Sequence, residues 1–173
     1  SPSGRDYSGM KAEDIIVLDL KGEVSEGQFP PSSEYLFHLE LYKKRNDINA
    51  IVHTHSVNAA AYSCLGRDLP PVHYMIGFSG NKVPIVPYSI FGGDELAKSL
   101  VKNISNYNAA LLENHGVVAV GSNIKLAYAC AESIEFVSEV YLKSSQMGEP
   151  KILNEEEMSI VIKKFNNYTK LEE

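Results

Sequence analysis

Little in this chain is concentrated. Only two cysteines occur in its 173 residues, Cys64 and Cys130. They lie far apart in alanine-rich, helical-looking context, which argues against both a disulfide and a metal clip. They read as buried free thiols in a reducing cytoplasm. No apolar run approaches the roughly 20 residues that span a bilayer, and the opening SPSGRDYSGM has none of the marks of a signal peptide. Basic residues number 16 against 22 acidic ones, for a net charge of −6, and form no long cluster. The short run Lys43-Lys44-Arg45 sits where a helix would end, where positive charge suits the dipole. Nucleic-acid and polybasic membrane roles are excluded on that ground. Repeats, low-complexity segments and obvious linkers are also missing. What is present, 44% hydrophobic and 22% charged residues, is the composition of an ordinary globular chain long enough for one compact domain with a substantial core.

Hydrophobic spacing and punctuation predict the elements. Residues 14–20 (DIIVLDL) form a strand candidate closed by Lys21-Gly22. Over residues 32–45 the spacing turns helical, with Leu36, Leu39 and Tyr42 on one side. Pro31 and two serines give that helix a start, because a serine oxygen can accept from free first-turn amides. A strand over 49–55 is followed by a helix over 57–65. Residues 83–88 (VPIVPY) are extended, and their two prolines place them at a sheet edge or outside the ladder. Gly92-Gly93-Asp94 opens a helix that ends near 101 or 104. Two apolar runs, 109–113 and 117–121, surround Asn114-His115-Gly116 at the spacing of a hairpin. Asn123 caps a long helix whose core face includes Leu126, Ala127, Ala131, Ile134 and Val137. Asn154, followed by three glutamates, starts the last helix, which reaches Phe165. Strands and helices alternate only in part, which predicts an α/β domain with a mixed, partly antiparallel sheet covered by helices.

The chemistry concentrates in HTHS, residues 53–56. Strand side chains alternate with period two, so His53 and His55 leave the same face. Two imidazoles on one face suit a metal ion, and equally suit a half-buried face with no ligand. His115 stands in a similar polar, turn-adjacent place, and three neutral imidazoles with an open fourth position make a common catalytic zinc site. His38 lies within the first helix and reads as a packing residue. Glu34, in Pro-Pro-Ser-Ser-Glu (30–34), has an ordinary role open to it near a helix dipole. Ser32, Ser33 and the free amides of the same turn, however, form a ready phosphate cradle. A carboxylate beside both a phosphate and a metal could remove a proton from carbon. No lysine is singled out for a Schiff base.

The order S-P-S-G, P-S-S-E, V-H-T-H-S, H-Y-M, F-G-G-D-E-L and L-x-N-H-G, running over residues 1–168, resembles the class II aldolase/epimerase family that includes the adducin head. Each motif alone is weak, and six in the same order make a strong signal. The resemblance implies a single domain over residues 1–173, with a mixed, largely antiparallel sheet covered by helices on both faces. It implies that His53, His55 and His115 bind one Zn2+ per subunit. Glu34 would be the acid/base and would fill the fourth metal position until substrate displaces it. Ser3, Gly4, Ser32 and Ser33 would hold a phosphate. Tyr74 would reach the neighbouring subunit's site in a homotetramer, and Phe91 and Tyr168 would border the aldehyde pocket.

The activity most similar is cleavage of L-fuculose 1-phosphate to dihydroxyacetone phosphate and L-lactaldehyde, in the cytoplasm. Zinc would act there as a Lewis acid that stabilises the enediolate. Pentulose-phosphate 4-epimerases, sugar-phosphate dehydratases and a metal-free, adducin-like interaction module are the alternatives within the family. Epimerases usually carry Ser-Ser-Asp where this chain has Ser-Ser-Glu, and adducin heads lose the ligand histidines. Family members also carry an N-terminal helix and a Gly-Asn-x-Ser loop before the position matched by Ser1. Part of the phosphate site is therefore expected to lie outside these residues.

Overall fold

The computed structural model describes residues 1–169, excepting the side chains of residues 166, 168 and 169. In chain order the elements are β1 (Val17–Leu18), β2 (Val24–Glu26), α1 (Tyr35–Lys44), β3 (Ala50–Thr54), α2 (Val57–Ser63), β4 (Ile85–Val86), α3 (Asp94–Ile104), β5 (Ala109–Leu112), β6 (Gly116–Gly121), α4 (Ile124–Met147) and α5 (Glu155–Thr169). Contacts divide the chain into two compact units, Ser1–Asn46 with Ser89–Val101, and Asp47–Tyr88 with Lys102–Glu173.

In the first unit the strand expected over 14–20 shrinks to Val17–Leu18, paired antiparallel with Val24–Glu26. Residues Ala12–Asp14 form a 3-10 turn instead, closed by the Asp14 carboxylate accepting from the Lys11 amide at 3.0 Å. Ile15, Val17 and Leu20 remain exposed while Ile16 and Leu18 are half-buried, so this apolar run half-buries one face and has no long ladder to join. Helix α1 forms within the expected span, but of the expected face Leu36, Leu39 and Tyr42 only Leu39 is fully buried, the other two being half-buried. It buries Phe37, Leu39 and Leu41 and ends on Lys43 and Lys44. The Ser32 hydroxyl accepts from the Glu34 amide at 3.3 Å just ahead of it, and His38 stacks on Phe37. At the start of the chain the Ser3 amide donates to Pro30 O and the Ser32 amide to Ser1 O, both at 3.0 Å. A short antiparallel bridge, Pro2 with Pro31, results.

The second unit is built on a four-stranded sheet of order β3-β6-β5-β4. Its pairs are antiparallel except β4 with β5, which is parallel. The sheet is therefore mixed and largely antiparallel. Strand β4 lies at the edge, as Pro84 and Pro87 on either side of it require, since neither can donate to a ladder. The hairpin β5–β6 forms where two apolar runs predicted it. Val117 and Ala119 point to one face and Val118 and Val120 to the other, and all four are buried. Both faces of the central strands are thus covered.

On one face Val117, Ala119, Ala109 and Leu111 form a single cluster with Ala59 and Tyr62 of α2 and with Cys130, Ala131, Ile134 and Val137 of α4. Truncating a side chain as enclosed as Ile134 would cost about 2–5 kcal/mol, because the lost transfer energy adds to the cavity left behind. Asn123 caps α4 by accepting from the Leu126 amide at 3.0 Å. Asn154 and Glu157 exchange bonds in a capping box that starts α5. A 3-10 turn, Tyr74–Phe78, lies against α4 and α5. It has no counterpart among the elements read from sequence.

The two cysteines are free, but only Cys130 is buried, whereas Cys64 is exposed. Helix α2 stops at Ser63, and Cys64 falls in the turn beyond it. Burial pushes the Cys130 thiol up to about 12. Among the described residues no helix is long and apolar enough to cross a membrane.

Candidate metal centre

The second unit brings three histidines together, and the sheet register is the reason. Strand β3 carries His53, with His55 just past its end. Strand β6 runs antiparallel beside it, with His53 opposite Val118 and Thr54 opposite Val117. The β5–β6 turn therefore emerges beside the end of β3. Asn114 takes the left-handed conformation there, φ 55°, which Asn tolerates better than most residues. The His115 amide closes the turn on Leu112 O at 3.0 Å. As a result the three imidazole centroids lie 4.9 to 5.0 Å apart.

One hydrogen bond selects the tautomer of a neutral His53. Its Nδ1 lies 3.0 Å from Val117 O. A carbonyl oxygen can only accept, so Nδ1 carries a hydrogen, and in the neutral ring this leaves the lone pair on Nε2. That Nε2 lies 3.1 Å from Nε2 of His55. A tetrahedral zinc with ligands about 2.05 Å away holds those ligands about 3.3 Å from one another. One ligand nitrogen from each ring falls within 4.8 Å of the others. The donor set is also right for zinc, being three imidazole nitrogens with an outer-shell bond already orienting one ring. His53 and His115 are half-buried and His55 is exposed, so the centre has a solvent side from which a ligand can enter.

Gly116 permits this packing. A Cβ added there would meet Thr54 O at 2.4 Å and His55 Cδ2 at 3.1 Å. Glycine is needed here for close approach rather than for a positive φ. On the other flank the Ser63 hydroxyl, at the end of α2, accepts a long 3.4 Å bond from the His115 amide.

The other residues singled out in the sequence fall into two places. In the first unit, Ser3 and Ser32 bond across the short bridge at the start of the chain, and Gly4 and Ser33 follow them in sequence. The turn after Phe91 closes on Ser33, because a Cβ at Gly92 would meet Ser33 O at 2.7 Å. Phe91 itself is 66% exposed. Glu34 is the residue that leads into α1, half-buried, and its carboxylate makes no capping bond to that helix. The dipole role open to it in sequence is thus not taken up by a cap. In the second unit, Tyr74 begins the 3-10 turn and is 51% exposed. Among the described residues its ring neighbours are His73, at 4.6 Å, and Phe165, at 6.3 Å, not the histidine trio. His73 Nδ1 accepts from the Met75 amide at 3.3 Å, and burial lowers the His73 pKa below its usual value. The side chain of Tyr168 lies outside the described residues.

Sequence reading passed over Glu135. It sits on α4, yet it caps α2: its carboxylate accepts from the Asn58 amide at 2.9 Å and from the Ala59 amide at 2.8 Å. Burial alone would raise its pKa. The bonds from Asn58, Ala59 and Ser56 outweigh that and hold it below the usual carboxylate value. A glutamate in mid-helix, 77 positions from its partner, carries no local signal of such a role.

The comparisons agree with this geometry. A family model for the Class II Aldolase and Adducin N-terminal domain matches residues 1–142. The 5-deoxy-D-ribulose 1-phosphate aldolase of Bacillus thuringiensis serovar kurstaki is 47% identical over 168 residues, covering 97% of this chain and 79% of that protein. The L-fuculose phosphate aldolase of Escherichia coli K12 is 36% identical over 170 residues, again covering 97% and 79%. A solved L-fuculose 1-phosphate aldolase superimposes with a TM-score of 0.94 at 39% identity, over 96% of this chain and 78% of that one. With a matching family model over most of its length, a shared fold and a histidine trio of the right geometry, this chain belongs to the class II aldolase and adducin N-terminal domain family.

Proposed function

We propose that the chain is a metal-dependent aldolase that splits a ketose 1-phosphate into dihydroxyacetone phosphate and a short aldehyde. The observation that carries this reading is the trio of converging imidazoles, with His53 Nδ1 held by Val117 O so that Nε2 is the ligating nitrogen of the neutral ring. An interaction module that had given up catalysis would have no use for that arrangement. His53, His55 and His115 would hold the ion, zinc by the chemistry of the donor set. When bound, it supplies Lewis-acid stabilisation of the charge that develops on the ketone oxygen.

Glu34 is proposed as the acid/base, and as the fourth ligand until substrate arrives. Its carboxylate is not engaged in capping its own helix. In the direction of synthesis it takes a proton from the hydroxymethyl carbon of dihydroxyacetone phosphate. Tyr74, serving a neighbouring subunit of a homotetramer, donates a proton to the aldehyde oxygen and recovers it on cleavage. Ser3, Gly4, Ser32 and Ser33 hold the phosphate through the serine hydroxyls and the amides of Gly4 and Ser33, since the Ser3 and Ser32 amides already donate to backbone carbonyls, and this orients the reacting carbon at a distance. Phe91 and Tyr168 border the aldehyde. The two free thiols suit the reducing cytoplasm.

Two ketoses fit this scheme. 5-Deoxyribulose 1-phosphate yields acetaldehyde, and L-fuculose 1-phosphate yields L-lactaldehyde, one CHOH longer. The relative at 47% identity is named for the first and that at 36% for the second, so the shorter ketose stands ahead. The test is release of dihydroxyacetone phosphate from each by the zinc-loaded protein, with ribulose 5-phosphate and methylthioribulose 1-phosphate alongside. Glu34→Gln should keep its zinc on three histidines and lose carbon-proton exchange on dihydroxyacetone phosphate. Epimerised ribulose 5-phosphate without cleavage of either ketose, or rapid exchange in Glu34→Gln, would refute the proposal.

A further inference from the structure

The first turn of α2 leaves backbone amides without partners inside the helix, as every helix start does. Ser56 holds the position from which a side chain usually accepts them, yet it makes no capping bond. Its hydroxyl instead accepts from the Thr54 hydroxyl at 3.3 Å and itself bonds the Glu135 carboxylate. The acceptor comes from another helix. One oxygen of Glu135 takes both the backbone amide and the side-chain amide of Asn58, at 2.9 and 2.8 Å, and the other takes the Ala59 amide at 2.8 Å. A carboxylate at a helix N-terminus is also favoured by the dipole. Helix α4, 24 residues long and anchored on the sheet, thus grips the turn that leads from His55 into α2.

We infer that Glu135 is a positioning residue for the metal centre, fixing His55 through the first turn of α2. His55 directly precedes Ser56, so any shift of that turn moves the His55 backbone with it. The far end of α2 bears on the centre too, because Ser63 accepts from the His115 amide. Helix α2 therefore touches the backbone of two of the three ligands, and Glu135 sets where the helix begins. The inference rests on the metal reading proposed above. It adds a residue that touches neither ion nor substrate.

The measurement is zinc affinity, by competition with a chromophoric chelator, together with amide hydrogen exchange of the zinc-free protein. In the wild type, the Asn58 and Ala59 amides should be protected without metal. Glu135→Ala should expose them and weaken zinc binding about tenfold or more, the usual range for an outer-shell partner. Glu135→Gln, which keeps one acceptor oxygen, should fall between the two and serves if the alanine variant does not fold. Adding Ser56→Asn to Glu135→Ala supplies a neutral local cap and should recover much of the affinity without restoring the charge. Unprotected Asn58 and Ala59 amides in the wild type, unchanged affinity in Glu135→Ala, or a loss untouched by Ser56→Asn would overturn the inference. A wild-type protein that takes up no zinc would instead overturn the metal reading, and this inference with it.

Discussion

Replacing Gly116 with alanine adds one methyl group and asks whether the trio depends on close backbone approach. The added Cβ would stand 2.4 Å from Thr54 O, about 1 Å inside the 3.4 Å at which ordinary contact begins. Gly116 has no positive φ to make alanine strained, and alanine by itself would stabilise the chain by about 0.4–1 kcal/mol through a less flexible unfolded state. The steric cost opposes this. Thr54 O belongs to the backbone of β3, next to His55, and a backbone atom cannot swing aside as a side chain does. Overpacking of this kind costs about 1–3 kcal/mol, so the expected net change is a destabilisation of roughly 1–2 kcal/mol. The movement also has a direction. His55 Cδ2, at 3.1 Å, faces the same methyl, so the strand end and the ring are pushed together. A ring displaced by several tenths of an ångström leaves zinc coordination geometry, and affinity should fall about 10- to 100-fold. Urea unfolding of the zinc-free variant and chelator competition read the two effects separately. An alanine variant as stable as the wild type, binding zinc equally well, would refute the claim that Gly116 is there for close approach.

The thiols should separate cleanly in native protein. Cys64 is exposed and should react rapidly with a thiol reagent, while Cys130, buried with its pKa at about 12, should react only on unfolding; two fast thiols would contradict the packing of α4. A pH effect is expected at the Asp68–Lys82 pair, 2.7 Å apart. Burial raises the Asp68 pKa, but bonds from the Lys82 ammonium and the Ile85 amide outweigh it, leaving Asp68 below its usual value. The Lys82 pKa is raised, chiefly by its hydrogen bond to Asp68. The stability that Asp68 contributes is present above its unfolded pKa of about 3.9 and is lost as pH falls through its lower folded value. Both side chains are about 40% exposed, so the effect should not exceed about 1 kcal/mol. Asp68→Asn should remove that part of the acid loss in urea titrations, and an acid limb identical to the wild type would count against the pair.

Local chemistry made much of the fold legible. Asn123 ahead of α4 and the Asn154–Glu157 box ahead of α5 are caps whose partners lie three residues away, so residue order alone reveals them. Strand β3 and the β5–β6 hairpin were visible because apolar runs met turn residues at short spacing. The exceptions lacked a local cause. The 3-10 turn Tyr74–Phe78 is too short for a period, and residues 14–20 are apolar enough for a strand but, among the described residues, find only Val24–Glu26 to pair with. Cys64 looked buried because its alanine-rich neighbours are helical, whereas α2 ends one residue before it.

The site divides in the same way. That His53 and His55 share a face follows from strand periodicity, and residue order alone determined it. Whether they share it with a third ring did not follow, because the position of His115 depends on β6 lying beside β3 with Thr54 opposite Val117. A shift of one residue in that register would turn the alternating side chains of β6 to the opposite faces. The tautomer of His53 was likewise decided by tertiary structure, through a carbonyl 64 positions away. So was the capping of α2 by Glu135, a bond between helices rather than within one. Periodicity and capping act over a few residues and can be read from the chain. Convergence of ligands and the bonds that orient them act across the sheet, and only the folded register brings their partners within reach.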